Sequence, residues 1–368
     1  WVHDPMTPAV DPIVIQSHAG PYRVHFADSL ATALRPAESG SSAWVLIDEL
    51  VLRHHGADIA AHGVSAERLV PIEAIEESKS YDRIGPWIVR LLQGGLRRDG
   101  VIVAIGGGIV QDIACFIATI VMRGIRWRYV PTTLLAQCDS CIGAKSSINI
   151  ASFKNQLGSF HAPAEVHVLS RLLGSLPEEA LRAGFGEIVK FHLLEGEDAW
   201  ARIRDELCWN DMELISRLVE RSLRMKQRYI EQDEFDRGIR NLLNYGHTFG
   251  HAFESATQFR IPHGLAVALG MSAATFVSER LGLAPVGHHA EVDAVLSRIY
   301  RESRRELTSA ALEAIMCAMR TDKKHVHGGS FAILTRGPGR MSKERVDLDN
   351  QIRPALAAFL NYLSGSRP

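Results

Sequence analysis

Residues 101–105, Val-Ile-Val-Ala-Ile, form an unbroken apolar run that passes directly into Gly106, Gly107 and Gly108 and then into a helical pattern over about 109–122. A strand that is apolar on both faces must be covered on both faces. That is the condition of a strand inside a parallel sheet, whose crossover helices lie on either side. Glycines at the exit of such a strand have two readings. They make a tight strand–helix turn, or they let the backbone approach a pyrophosphate at the helix N-terminus. The triple glycine lacks the G-x-G-x-x-G spacing of the usual dinucleotide fingerprint, so both readings stay open at this level.

The same alternation extends around this unit. Residues 44–47, 127–130 and 166–169 read as short strands, 65–70 leads into another, and 81–95 has helical periodicity. Strands alternating with helices predict an α/β domain. After Pro177 the character changes. Residues 178–195, 198–206, 212–233, 242–257, 264–281, 289–301 and 308–320 all read as helices, and only 330–335 suggests a strand. The expectation is two domains. Residues 1–176 form an α/β, Rossmann-like unit with a mainly parallel sheet, and residues 177–368 form a mainly α-helical unit.

Charge narrows the function. With 41 basic and 42 acidic residues, no global field favours nucleic acid or an anionic membrane. An anionic ligand must be met by a local basic cluster. The five cysteines, Cys115, Cys138, Cys141, Cys208 and Cys317, are too sparse and odd in number for a disulfide framework and fit a reducing compartment. The first residues do not read as a leader, and the most apolar run, 266–277, is too short to span a bilayer. The expectation is a soluble, cytoplasmic protein.

A second feature carries chemistry. His247, His251 and His263 fall within 17 residues. On a helix, the first two share one face with ~6 Å between their Cβ atoms. Neutral imidazoles so placed suit zinc and related divalent metals, although a four-spaced pair is as often structural. Cys138 and Cys141 form a C-x-x-C that lacks a second pair, and packing is the simpler reading. His161 reads as a satisfied loop histidine. The pairs His54/His55, His288/His289 and His325/His327 lack a third ligand and read as solvent-exposed. Met122, Trp127 and Met271 read as core.

From Gly106 onward, chemically special residues come in a recognisable order. They are the triple glycine with Asp112, Arg123-Gly124, the run from Pro131 through Thr132 and Thr133 to Gln137, Asp139, Lys145, Asn149 and Lys154-Asn155. The order resumes at residues 183–190, which include Glu187 and Lys190, then at 240–251, at His263-Gly264 and at Asp322-Lys323-Lys324. Over nearly its whole length the chain resembles the 3-dehydroquinate synthase family, within the wider sugar phosphate cyclases.

The resemblance implies roles. Glu187, His247 and His263 match the metal ligands, for zinc or cobalt. Glu76, Lys79, Gly107, Gly108, Asp112, Thr132, Thr133, Asp139 and Lys154 match residues around NAD. Arg123, Lys145, Asn155, Lys190, Lys226, Arg240, Asn244 and His251 match residues around the substrate. Of these, Arg123, Lys145, Asn155 and His251 match the phosphate side, and Lys226, Arg240 and Asn244 the hydroxyl and carboxylate side. Basic residues suit a phosphorylated seven-carbon sugar or sugar acid. Without the resemblance, Glu76 and Lys79 read as a solvated surface pair. The implied reaction is a cyclisation in which NAD is reduced and reoxidised, phosphate leaves by β-elimination, and an aldol closure makes the ring. A homodimer is implied as well.

Three positions depart from the pattern. Leu265 stands where a carboxylate is usual, Asp236 where Glu is usual, and Ala144 replaces a glycine. They suggest a divergent member, with secondary metabolism as one setting. Arg240, Leu243, Asn244 and His251 favour a carboxylated substrate over sedoheptulose 7-phosphate, because a buried Arg without its carboxylate is costly. A sedoheptulose 7-phosphate cyclase, a metal-dependent polyol dehydrogenase and a non-catalytic homologue are the alternatives.

Overall fold

In the computed structural model, which describes residues 11–36, 43–151, 153–321 and 329–365, the chain divides into two compact units, Trp1–Pro177 and Glu178–Pro368. Asp322, Lys323, Lys324, His325 and His327 lie outside the described residues.

In chain order the first unit holds β1 (Ile13–Ile15), β2 (Tyr22–Phe26), α1 (Ala31–Leu34), β3 (Ala43–Asp48), α2 (Glu49–Ala61), β4 (Leu69–Ile72), α3 (Tyr81–Gln93), β5 (Val101–Gly106), α4 (Gly108–Ile120), β6 (Arg126–Pro131), a hairpin of β7 (Ile148–Ile150) and β8 (Phe153–Leu157), and β9 (Glu165–Val168). Seven strands make one sheet in the order β1-β2-β9-β6-β5-β3-β4. Only β1 and β2 pair antiparallel; the other neighbours run parallel. β5 lies between β3 and β6, and all six of its residues are buried, as its unbroken apolar pattern requires. Leu30, Val45, Ile47, Val103, Ile105, Val130 and Leu169 pack together in the unit's core.

The topology decides where a ligand can sit. From β3 the chain crosses to β4 on one side, and from β5 it crosses to β6 on the other. Such a reversal opens a crevice at the carboxyl ends of the two strands. The glycine loop is the exit of β5.

The second unit is helical: α5 (Glu178–Glu195), α6 (Glu197–Glu206), α7 (Met212–Gln232), α8 (His247–Ala256), α9 (His263–Arg280), α10 (His288–Tyr300), α11 (Arg304–Thr308), α12 (Leu312–Thr321) and α13 (Arg353–Ser364), with one hairpin of β10 (Ser330–Thr335) and β11 (Met341–Val346). α9 is buried from Gly264 through Thr275. A helix apolar all round belongs at the centre of its domain, and α5, α8, α10 and β10 pack on α9.

Several sequence readings are corrected. The helix expected over 242–257 is interrupted: a 3-10 turn over Ile239–Asn244 ends before Tyr245, and α8 starts at His247. Gly246, at φ +82°, makes the break, in a conformation that costs a residue with a Cβ ~1–2 kcal/mol. The helix expected over 308–320 starts later, as α12 at Leu312, and α11 over Arg304–Thr308 precedes it. β11, α2 and α13 carry no strong period and escaped the sequence reading. His288 and His289 are 8% and 6% exposed, so they are not surface residues. Met122 is half-buried at φ +51°, in a turn and not in the core.

Candidate active site

In the first unit, one end of the sheet gathers the expected cofactor residues. Gly106 is in register with Pro131, and the Thr132 amide donates to the Gly106 carbonyl at 3.0 Å. Thr132 and Thr133 therefore stand beside the glycine loop. A Cβ on Gly107 would come within 3.0 Å of Thr133 Cγ2, and above Gly108 there is no atom within 4 Å of the Cβ position. Gly107 caps α4 without a side-chain hydrogen bond. The space at Gly108 beside a helix N-terminus suits a pyrophosphate.

Polar groups beside this loop are tied together. Lys79, 8% exposed, pairs through Nζ with Asp112 Oδ2 at 2.8 Å. Asp112 also accepts from the Ser147 amide at 3.0 Å and the Ser147 hydroxyl at 3.2 Å. Burial raises the Asp112 pKa above the usual carboxylate value, and Lys79 and Ser147 limit that rise. Glu76 Oε1 accepts from Asn149 Nδ2 at 2.8 Å, and Asn149 Oδ1 accepts the Asn155 amide at 2.8 Å. Glu76 and Lys79 are therefore not a solvated pair with each other. Lys79 holds α4 through Asp112, and Glu76 holds β7 through Asn149. Asp139 is half-buried in a one-turn π-helix over Ala136–Ser140.

Arg123, Lys145, Lys154 and Asn155 are exposed. Arg123 and Asn155 lie in the left-handed region, at φ +64° and +55°, as does Ala144 before Lys145, at +61°. Each non-glycine residue held there costs ~1–3 kcal/mol, and such strain concentrates where a side chain must be aimed. Lys145 bridges to Phe160, and the His161 amide donates to the Ala144 carbonyl at 2.8 Å. The His161 ring is satisfied by Thr119 Oγ1 at 3.1 Å. Cys138 and Cys141 are buried thiols, outside any disulfide, that donate to the Leu135 and Gln137 carbonyls at 3.6 and 3.4 Å.

In the second unit, three helices bring a carboxylate and imidazoles together. Glu187 comes from the middle of α5, His247 opens α8 and His263 opens α9. Glu187 Oε1 is 3.6 Å from His247 Nε2 and 4.0 Å from His263 Nε2. Donors ~2.1 Å from one tetrahedral ion stand ~3.4 Å apart, so the spacing fits a divalent ion. The other ring nitrogens are occupied. His247 Nδ1 lies 3.3 Å from the Tyr245 carbonyl, which only accepts, so Nδ1 carries the proton and Nε2 presents its lone pair. His263 Nδ1 lies 3.2 Å and 3.3 Å from the two oxygens of Glu254. Burial works against a charge on His263, but the hydrogen bond and charge of Glu254, with Glu187, carry its pKa above the usual imidazole value.

His251 belongs to the same cluster. Nitrogens of His247, His251 and His263 lie within 4.8 Å of one another. Distance alone therefore leaves four donors: Glu187 is 1% exposed, whereas the side chains of His251 and His263 are both exposed, so burial does not choose between those two imidazoles. Lys190, 2% exposed and one turn along α5, places Nζ on Glu187 Oε2 and over the Phe191 ring at 4.9 Å. Glu187 thus turns one oxygen to the imidazoles and the other to a lysine.

Of the other expected residues in this unit, Lys226 on α7 and Arg240 are each 6% exposed, and Asn244 is half-buried. Asp233 Oδ2 accepts from the Arg240 amide at 3.1 Å and the Gly238 amide at 2.7 Å, and Arg240 Nη1 donates to the Glu234 carbonyl. Burial opposes ionisation of Asp233, yet three backbone donors hold its pKa below the usual value. Asn244 Nδ2 donates to the Asn241 carbonyl at 3.0 Å. Asp236, at φ +59°, accepts from Asn241 Nδ2 on its own carbonyl at 3.0 Å and its carboxylate at 3.2 Å. Leu265 is 2% exposed in α9.

The sequence reading missed Glu254 and Ser147. Glu254 was detectable, since it follows His247 by seven residues and His251 by three and so shares their helical face. Ser147 carried no such signal.

Comparison with known proteins agrees in both units. The model of the 3-dehydroquinate synthase N-terminal domain matches residues 69–183, and that of the C-terminal domain matches residues 184–325. A protein of Cereibacter sphaeroides strain ATCC 17029, named 3-dehydroquinate synthase, is 36% identical over 348 residues, covering 90% of this chain and 93% of the relative. Among solved structures, 2-deoxy-scyllo-inosose synthase complexed with carbaglucose-6-phosphate, NAD+ and Co2+ superposes with a TM-score of 0.84 at 23% identity, over 96% of this chain and 100% of that one. The 2-epi-5-epi-valiolone synthase of Streptomyces hygroscopicus subsp. jinggangensis 5008, with NAD+ and Zn2+ bound, gives 0.80 at 23% identity over 100% of both chains.

Proposed function

Because the chain belongs to the 3-dehydroquinate synthase family, we propose that it is an NAD- and metal-dependent sugar phosphate cyclase, and that it converts 3-deoxy-arabino-heptulosonate 7-phosphate into 3-dehydroquinate with loss of phosphate. The observation that carries this reading is the grouping of Glu187, His247 and His263, with both Nε2 atoms turned to one carboxylate oxygen. When bound, NAD takes up and returns a hydride, and zinc or cobalt polarises the hydroxyl that is oxidised.

The remaining work is orientation and charge stabilisation by the chain. In the first unit, Gly107, Gly108, Thr132 and Thr133 receive the dinucleotide phosphates, with Glu76, Lys79, Asp112, Asp139 and Lys154 around the rest of the cofactor. By the family resemblance, Arg123, Lys145 and Asn155 of that unit take phosphate-side roles. In the second unit, Glu187, His247 and His263 hold the metal, and His251 meets phosphate. Arg240 and Asn244 meet the carboxylate, and Lys190 and Lys226 the hydroxyls. Arg240, which stands on the carboxylate side by the family resemblance and whose Nη1 donates to the Glu234 carbonyl, supports the carboxylated substrate as a guanidinium suited to a planar anion. We place the enzyme in the cytoplasm as a homodimer. Its thiols, outside any disulfide, suit a reducing compartment, and no helix among the described residues is long and apolar enough to cross a membrane.

The test incubates metal-loaded protein with NAD and each heptulose phosphate separately. Phosphate, cyclic product and NADH are measured. The expected result is phosphate release and a carbocycle from the heptulosonate, without net NADH. Release from sedoheptulose 7-phosphate alone overturns the substrate, and stoichiometric NADH points to a polyol dehydrogenase. No release from either sinks the cyclase.

A further inference from the structure

We infer that Glu254 is a positioning residue for the metal centre, acting through His263 without binding the metal itself; this rests on the reading of His263 as a ligand. Glu254 lies on α8 seven residues after His247, so the two occupy the same helical face. Its carboxylate is 12% exposed and sets its oxygens 3.2 and 3.3 Å from His263 Nδ1. Its backbone carbonyl accepts the Phe259 amide at 2.7 Å, which closes the turn leading from α8 to α9. One residue therefore shapes the turn into the second imidazole helix and grips the imidazole at its start.

The chemistry follows from the partner types. An ionised carboxylate only accepts, so the Glu254 contact places hydrogen on His263 Nδ1 and leaves Nε2 to face Glu187 Oε1 at 4.0 Å. Among the described residues, no other carboxylate or carbonyl stands within hydrogen-bond distance of the His263 ring. His263 is the first residue of its helix, preceded by Pro262, and its side chain is 40% exposed. An imidazole so placed can rotate or change tautomer unless its far nitrogen is held. His247 differs, since its Nδ1 is held by a neutral carbonyl at 3.3 Å. A carboxylate partner also strengthens a ligating imidazole as a donor, and loss of such partners typically lowers metal affinity ~10–100-fold.

The experiment uses full-length protein, zinc ions and a chromophoric competing chelator. Glu254→Ala is expected to weaken zinc binding ~10–100-fold, and the near-isosteric Glu254→Gln, which retains an acceptor, to weaken it less. A second readout is the ¹⁵N spectrum of metal-free, histidine-labelled protein, with the His263 signals assigned by their loss in His263→Ala. At a pH above the His263 titration, where the ring is neutral, the wild type is expected to show the Nδ1–H tautomer at His263, and Glu254→Ala to lose it. Unchanged affinity in Glu254→Ala overturns the inference. So does weakened affinity with the Nδ1–H signal intact, because that is the result of a purely structural residue. If Glu254→Ala does not fold, Glu254→Gln decides on the same two readouts. Zinc binding that survives His263→Ala defeats the ligand reading itself, a failure distinct from that of Glu254 alone.

Discussion

At the scale of single residues, the most demanding contact in the second unit is Lys190 on Glu187, with 2% and 1% of the side chains exposed. A buried ion pair contributes little net stability, but removing one partner strands the other charge and costs ~3–5 kcal/mol. Lys190→Met is expected to destabilise the metal-free protein by about that amount, and added zinc should recover part of the loss by giving Glu187 a new cation. Urea unfolding with and without zinc measures both. An equal loss with and without metal would show that Glu187 does not face the metal. The residues themselves were readable in order along the chain, from Asp112 to His263. What was not readable was the partner of each. Lys79 joined to Asp112, and Glu76 to Asn149, are contacts between segments 33 and 73 residues apart, and no local pattern encodes a pairing at that distance.

At the scale of elements, the close approach of α5 and α9 sets the spacing between Glu187 and His263. A Cβ on Gly264 would lie 2.0 Å from the Ala183 carbonyl oxygen, and one on Gly186 would lie 2.3 Å from the Gly264 carbonyl oxygen. Backbone touches backbone, so neither helix can yield by a rotamer change. Gly264→Ala is expected to cost at least ~1–3 kcal/mol in urea unfolding, and the forced separation should weaken zinc binding. A variant with wild-type affinity would mean that the approach does not set the metal spacing.

In the first unit, β2 and β9 place His25 and His167 in register, and their rings stack at 5.1 Å. Burial, opposed by Glu165 and reinforced by His25 and Arg128, lowers the His167 pKa to about 4. The unfolded chain binds a proton near pH 6.5, and the folded one does not until about pH 4. Stability is therefore complete above the unfolded value and falls as pH drops through that window, by up to ~1.4 kcal/mol per pH unit. His167→Phe should show a shallower acid slope in urea titrations between about pH 7 and pH 5. A slope as steep as the wild type would exclude His167 as a contributor. Helices α5, α7 and α9 were legible within a residue of their observed ends, α7 by its apolar period and α9 by the length of its apolar run. The break at Tyr245-Gly246 was not, because apolar residues continue across it and only Gly246's φ of +82° ends the pattern.

At the scale of the whole molecule, metal binding should couple to folding. A ligand that binds only the folded state stabilises it by RT ln(1 + [L]/Kd), which is ~2.7 kcal/mol at a hundredfold excess over Kd. Zinc should raise the unfolding temperature of the chelator-treated protein, and His247→Ala should abolish the rise. An equal rise in that variant would place the metal elsewhere. By itself, the sequence determined the two-part architecture, the sheet-and-glycine-loop unit, the helical unit and the order of chemically special residues. Local period and residue type suffice for these. Only the tertiary structure decided that Glu254 faces His263 and that Glu187 splits its oxygens between imidazoles and Lys190. Those assignments depend on three helices meeting at glycine contacts, and a meeting of distant segments is settled by packing, which no single stretch of chain contains.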